Sequence, residues 1–470
     1  MSLLIKGGRV ITAADDYVGD VFVEGERISL IGESLDVSAD RVIDASGKYV
    51  LPGAVDPHTH LEMPWRGKTT VDDFYHGHVA AAFGGTTTHV DFCIQGKGET
   101  FTQALETWHG KREGKAIIDN GFHIIVTDLE SGTLEELATL PDEHGVSSYK
   151  LFMAYNDSLR IDDTGLFQVM QVAAKTGACV MVHAENGDAI EVLMADAIAA
   201  GETDPVHHAL TRPPETEGEA TNRAVQLAHV AGAPLYVVHV SCEESLEPIQ
   251  LARAKGWDVW GETCTQYFFV DISFLERLED FEAGNYVYTP PPRPKKNQPI
   301  LWDAVRTNEL QVISTDHCAY TKEQKLLGKD DFRAIPNGAV GMENRLHMIH
   351  HFGVREGRIT LNRMVELLCT NPAKLFGMYP KKGTIAPGTD ADIVIFDPER
   401  KHTITAKTHH SACDINIFEG TEVVGSPEIV VRRGEVIVEN DELVAKAGSG
   451  QFIRRAKFRE ELKPAALATA

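Results

Sequence analysis

The chain has 470 residues and a formal net charge of −24. That length exceeds one small core and predicts a large domain with a lesser one, and an acidic balance with no basic patch argues against nucleic acid or anionic membrane as partners. No apolar run approaches the roughly 18 residues of a membrane span, the start Met1-Ser2-Leu3-Leu4-Ile5-Lys6 has no apolar signal segment, and seven scattered cysteines without a C-x-x-C pair fit reduced thiols in a cytoplasmic protein.

Residues 1 to about 51 read as β structure: Leu3 to Ile11, Asp20 to Ile31 and Arg41 to Val50 are β-branched runs parted by Gly, Asp and Ser. From Leu51 the pattern changes to apolar strands alternating with helical stretches, as a parallel α/β sheet or barrel requires. Eight strands are predicted: Ala54–His60, Thr86–Phe92, Gly121–Thr127, Ser147–Met153, Ala178–Glu185, Leu235–Ser241, Trp257–Cys264 and Gln311–His317. Between them lie helices such as Asp72–Phe83, stopped by Gly84-Gly85, and Thr221–Val230, followed by Gly232. Eight β-α units predict a TIM (β/α)8 barrel, with an open doubly wound sheet as the alternative.

Two intervals, Asn186 to Thr221 and Tyr267 to Ile300, exceed what a helix needs, and the second carries the loop Thr289-Pro290-Pro291-Pro292-Arg293-Pro294. Both follow strand ends and are predicted to wall the site. After about 380 the β pattern returns at Gly383-Thr384-Ile385, Asp392–Phe396, Ile415–Phe418 and Ile429–Val438. The expected organisation is a barrel over 52–380, a small β-sandwich domain built from 1–51 and 381–446, and a charged, Ala-rich tail over 447–470, expected to form a helix that packs on a partner subunit.

The chemistry gathers at the C-terminal strand ends, where barrels carry their catalytic groups. The first strand ends in Asp56-Pro57-His58-Thr59-His60, and alternation puts His58 and His60 on one face. The fourth carries Lys150, the fifth ends in His183-Ala184-Glu185, the sixth in His239-Val240-Ser241 and the eighth in Asp316-His317. Imidazole with carboxylate suits Zn²⁺ or a similar divalent ion, and six ligands are too many for one tetrahedral ion, so two bridged ions are expected. Lys150 is the discordant member, since an ammonium repels cations.

In order along the chain stand Asp56-x-His58-x-His60, Lys150-Leu151-Phe152-Met153-Ala154-Tyr155, His183-Ala184-Glu185-Asn186, His239-Val240-Ser241, Thr315-Asp316-His317-Cys318 and Ile335-Pro336-Asn337-Gly338. With Arg212-Pro213-Pro214-Glu215 and the closing Gly383-Thr384-Ile385-x-Pro387-Gly388, this set resembles the dihydropyrimidinase/hydantoinase family of cyclic amidohydrolases over nearly the whole chain. The resemblance implies two Zn²⁺ ions bridged by a carboxylated Lys150, one held by His58, His60 and Asp316 and the other by His183 and His239. It further implies Tyr155 as oxyanion donor, main-chain contacts to the substrate amide at Thr289 and Asn337, a small cyclic imide or ureide substrate, and a homo-oligomer, a tetramer. On this reading a bridging hydroxide attacks the ring carbonyl, and Asp316 carries the proton to the leaving nitrogen.

The sequence departs from the family pattern in places. Glu62 and Trp65 stand where Asp and Phe are usual, Thr265 replaces a Pro, and Thr289 replaces a Ser. Trp65, Phe152 and Leu159 fall on loops that surround the ring substituent in relatives. Dihydroorotase, which carries an Arg two residues after the second histidine, is disfavoured because Glu62 occupies that position. Allantoinase matches fewer segments, and the non-catalytic scaffold relatives lack ligands that this chain retains.

Overall fold

A computed structural model describes residues 2–65, 67–130 and 132–460. Eight parallel strands follow one another in chain order: Ala54–Thr59, Thr86–Ile94, Asp119–Ile125, Ser148–Phe152, Cys179–His183, Leu235–Val237, Val259–Cys264 and Val312–Ser314. They are buried along almost their whole length, as strands covered on both faces must be. The first and last meet through a Thr59–His317 bridge, with the His60 N–H donating to His317 O at 2.8 Å. Two buried polar groups reinforce that seam. Thr315 Oγ1 donates to Asp56 Oδ2 at 2.7 Å, and Arg345 Nη1 donates to Val55 O and Ile313 O, both at 3.0 Å. The sheet thus curls into the expected TIM-type barrel.

Helices cover the barrel. Phe74–Phe83 begins one residue after Asp73, whose carboxylate accepts from the Tyr75 and His76 N–H groups. Asp72, expected inside that helix, instead reaches His317 and Ser411. Pro214–Ala231 starts earlier than the predicted Thr221 because proline is tolerated in the first turn, and Gly232 ends it with φ 71°.

The two termini share one nine-stranded mixed sheet. Tyr49–Pro52 pairs with Ser2–Ile11 on one side and runs antiparallel to Ile393–Thr403 on the other. Leu3, Ile5, Val10, Val21, Ile393, Ile395 and Val431 form its core. Two predicted strands are absent. Gly383 sits at φ 84° with its carbonyl taken by Thr370 Oγ1, and Ile417 and Phe418 are buried in a turn in which Asn416 Oδ1 accepts from the Phe418 N–H. Apolar residues there pack without a ladder, so the hydrophobic run misleads.

The opposite end of the barrel is closed by ion pairs and by the C-terminal segment. Lys382 Nζ meets Asp119, Asp390 and Asp392 at 2.6, 3.0 and 2.7 Å. Phe452 bridges to Asn120, Arg455 Nη2 donates to Ser148 Oγ at 2.8 Å, and Phe458 packs with Phe376. The described part of the tail, 447–460, contains no α-helix; the predicted tail helix otherwise falls on 461–470, outside the described residues. None of the described helices is long and apolar enough to cross a membrane.

Candidate active site

The predicted metal ligands and Tyr155 stand on the barrel strands or just beyond their C-terminal ends, whereas Thr289 and Asn337 come from long loops after Cys264 and Ser314. His58 lies on the first strand with His60 immediately after it, Lys150 on the fourth and His183 at the tip of the fifth. His239 and Asp316 each follow their strand by two residues, and Tyr155 follows its strand by three. The last three have left-handed backbones, with φ of 43°, 50° and 64° respectively. Non-glycine residues hold such conformations at a cost of order 1–3 kcal/mol, which the surrounding structure must override. Here the turns aim three side chains back over the barrel mouth.

Asp316 Oδ1 lies 3.1 Å from both His58 Nε2 and His60 Nε2. Donor atoms of these three residues all fall within 4.8 Å of one another. Across the mouth, His183 Nδ1 and His239 Nε2 are 2.9 Å apart. Lys150 Nζ sits 5.2 Å from the Phe92 ring centroid and 5.0 Å from that of Phe152. All six line one cavity of about 60 Å³ together with Tyr155, Thr289 and Asn337.

Two carboxylates that the sequence reading assigned no role hold the imidazoles from behind. Glu262 bonds His58 Nδ1 and accepts from Tyr236 O–H at 3.0 Å, and Glu185 Oε2 pairs with His183 Nε2 at 2.8 Å. Such outer carboxylates turn the opposite ring nitrogen toward a metal. Glu185 was legible in the His183-Ala184-Glu185 motif. Glu262 had no local signal, since its partner lies 204 residues away.

The donor set fits divalent ions. His58 Nε2, His60 Nδ1 and His239 Nδ1 are buried without a hydrogen-bond partner, and buried polar atoms are rarely left so. Burial opposes charge on His58, but Asp316 and Glu262 outweigh it and raise its pKa to about 9. Burial takes His60 down to about 4 and the Lys150 amine down to about 8. Tyr155 is pushed up to about 12 by burial and then by Glu185, so its hydroxyl stays a donor at neutral pH. His317 belongs to the fold, its Nε2 bonding Asp72 at 2.8 Å and its Nδ1 accepting from Gly341 N–H.

A larger outer chamber of about 790 Å³ opens beyond, walled by Met194, His208 and Arg212 from one long interval and by Thr289 from the other. Tyr155, Thr289 and Asn337 are the residues common to both chambers. Asn337 Nδ2 donates to Tyr155 Oη at 3.4 Å, and Thr289 Oγ1 lies 3.2 Å from His208 Nε2. Trp65, Phe152 and Leu159 line the inner chamber, with the Trp65 ring edge-on to Tyr155 at 5.0 Å. Glu62 lines neither chamber. Its Oε2 accepts from Lys115 Nζ at 2.9 Å and faces the start of helix Phe74–Phe83, so the charge argument against dihydroorotate does not operate through this residue.

A barrel whose strand ends gather imidazoles and carboxylates around one cavity defines an enzyme class, the (β/α)8 hydrolases with a divalent-metal centre. The chain belongs to the Amidohydrolase family, which it matches over residues 49–437. It is 51% identical over 459 residues to a D-hydantoinase of Geobacillus stearothermophilus, covering 97% of each chain. It is 41% identical to a dihydropyrimidinase of Rattus norvegicus, over 97% of this chain and 89% of that one. The crystal structure of dihydropyrimidinase from Brevibacillus agri NCHU1002 superposes with a TM-score of 0.96 at 49% identity, over 97% of this chain and 99% of that one.

Proposed function

We propose that this enzyme hydrolyses the cyclic amide of dihydropyrimidines such as dihydrouracil, or of 5-substituted hydantoins, to N-carbamoyl amino acids. The observation that carries the reading is the convergence of six metal-capable side chains and a protonated tyrosine on one small cavity. D-hydantoinase and dihydropyrimidinase relatives across nearly the whole chain support the same ring chemistry.

His58, His60 and Asp316 would hold one Zn²⁺, and His183 and His239 the other. Lys150, carboxylated on Nζ, would lie between them. When bound, such a pair supplies a hydroxide at neutral pH and polarises a carbonyl. A charge argument supports the carboxylation. At an effective dielectric near 20 and ~4 Å, each unit-charge repulsion costs roughly 4 kcal/mol, and a divalent ion doubles it. Addition of CO₂ to the neutral amine, with loss of a proton, turns the same arm into an anion with two oxygens.

The remaining steps belong to side chains. Asp316 accepts the proton of the attacking water, whose oxygen joins the ring carbonyl carbon. Tyr155 O–H donates to the carbonyl oxygen as charge develops there. The ring C–N bond then breaks, and Asp316 returns the proton to the departing nitrogen. Thr289 and Asn337 would hold the ring amide through their main chains, and Trp65, Phe152 and Leu159 would receive the 5-substituent. Seven buried free cysteines fit a cytoplasmic location, and a homotetramer is the expected assembly.

A substrate panel tests the reading. Zinc-loaded protein should open dihydrouracil or hydantoins well and dihydroorotate and allantoin poorly. Efficient turnover of dihydroorotate with none of hydantoin would overturn the assignment.

A further inference from the structure

Lys325 is buried beside the site and lines neither chamber. Its side chain is 1% exposed, at the end of a short helix, Lys322–Lys325, capped by Thr321. An ammonium has three N–H donors, and here each meets a main-chain carbonyl: Val287 O at 2.8 Å, Pro336 O at 2.7 Å and Gly338 O at 2.8 Å. The Tyr320 ring centroid lies 5.8 Å away, and among the described residues no carboxylate forms an ion pair with it; burial brings its pKa down to about 7, against which three carbonyl acceptors favour the protonated form. Holding a lysine in such a place is costly, and an apolar side chain would leave three buried carbonyls unpaired.

The three carbonyls sit in two segments far apart in sequence. Val287 precedes Thr289 by two residues, and Pro336 and Gly338 flank Asn337. Those segments supply two of the three residues common to the outer and inner chambers. A direct bond, Gly338 N–H to Val287 O at 3.0 Å, joins them at the same point. His208 holds only the Thr289 segment, through Tyr288 O at 3.1 Å and Thr289 Oγ1. Lys325 spans both.

We infer that Lys325 is a positioning residue, whose ammonium sets the register of the Thr289 and Asn337 segments at the passage between the chambers and so determines how tightly the ring amide is held. The inference rests on the ring-opening reaction proposed above. Misregistered segments weaken ground-state and transition-state contacts alike, so the effect falls on KM.

The test is steady-state kinetics of Lys325→Met on hydantoin and dihydrouracil, with metal content and melting temperature measured on the same samples. KM should rise about tenfold or more, with kcat within about threefold of wild type and metal content unchanged. A variant that melts earlier but keeps its KM reveals a purely structural lysine and overturns the inference alone. If Lys325→Met does not fold, Lys325→Gln, which keeps two donors, is read by the same criteria, and failure of both to fold overturns the inference in favour of stability. Wild-type protein that opens neither ring defeats the reaction assignment itself, and the inference with it.

Discussion

The two ends of the barrel treat buried charge in opposite ways. At the floor, Lys382 is matched by three carboxylates, and Arg433 Nε shares Asp119 at 3.0 Å. At the mouth, three imidazole nitrogens have no hydrogen-bond partner, and Lys150 faces aromatic rings. Three backbones there are held at left-handed φ, against one in the floor's cluster, Arg433 at 46°. The floor pairs its buried lysine with carboxylates and anchors the terminal sheet to the barrel, although Arg455 Nε and Nη1 there lack a hydrogen-bond partner. The mouth instead gathers imidazoles, a carboxylate and an amine around a cavity that bound groups would complete, so convergence on a cavity marks function where ion pairing marks stability.

The sharpest way to break that contrast is at Lys150. Lys150→Ala should lose bound metal and about 10⁴-fold or more in activity, measured by metal analysis and kcat. Reloading of the apo-protein should depend on dissolved bicarbonate. Full metal occupancy at a bare amine, seen crystallographically, would refute carboxylation.

Asp316→Asn keeps the shape of the side chain and removes its ionisable carboxylate. It should lower kcat by about 10³-fold, within the range of general acid–base catalysis, with the melting temperature little changed. Retained activity would place the proton carrier elsewhere.

A change at the floor should do the reverse. Lys382→Met removes the cation shared by three buried carboxylates, leaving Asp119 to Arg433 alone, and should cost about 3–5 kcal/mol of stability, while kcat per folded molecule is preserved. Burial opposes the Lys382 charge, but Asp392, Asp119 and Asp390 outweigh it and raise the pKa. A raised value contributes stability that is intact below the unfolded pKa of about 10.4 and is lost as pH climbs through the folded one. Denaturation curves of wild type and variant should therefore differ at neutral pH and converge only in strong alkali. An equal loss of kcat would mean that the floor and the mouth are coupled.

The smallest expected effect is on selectivity. Trp65→Ala should raise kcat/KM for a 5-aryl hydantoin relative to unsubstituted hydantoin by about threefold to tenfold. An unchanged ratio would remove Trp65 from the substituent pocket.

Much of the site was legible because strand alternation and strand ends are local. His58 and His60 share a face while Thr59 turns away to Asp91, as period-two geometry requires. His183, His239 and Asp316 each close an apolar run that reads as a strand. Glu262 and Lys325 were not legible, since each acts on partners brought together by folding. Ile415–Phe418 misled for the same reason, being apolar through burial in a turn.

The sequence by itself determined the eight alternating units, the ordered ligand motifs and the acidic surface, since periodicity and residue chemistry are written locally. Tertiary structure alone decided which way Glu62 points, which carboxylate stands behind each imidazole, and that Tyr155, Thr289 and Asn337 separate two chambers. Those facts depend on contacts between segments up to hundreds of residues apart, and they form only when barrel closure sets the strands in register.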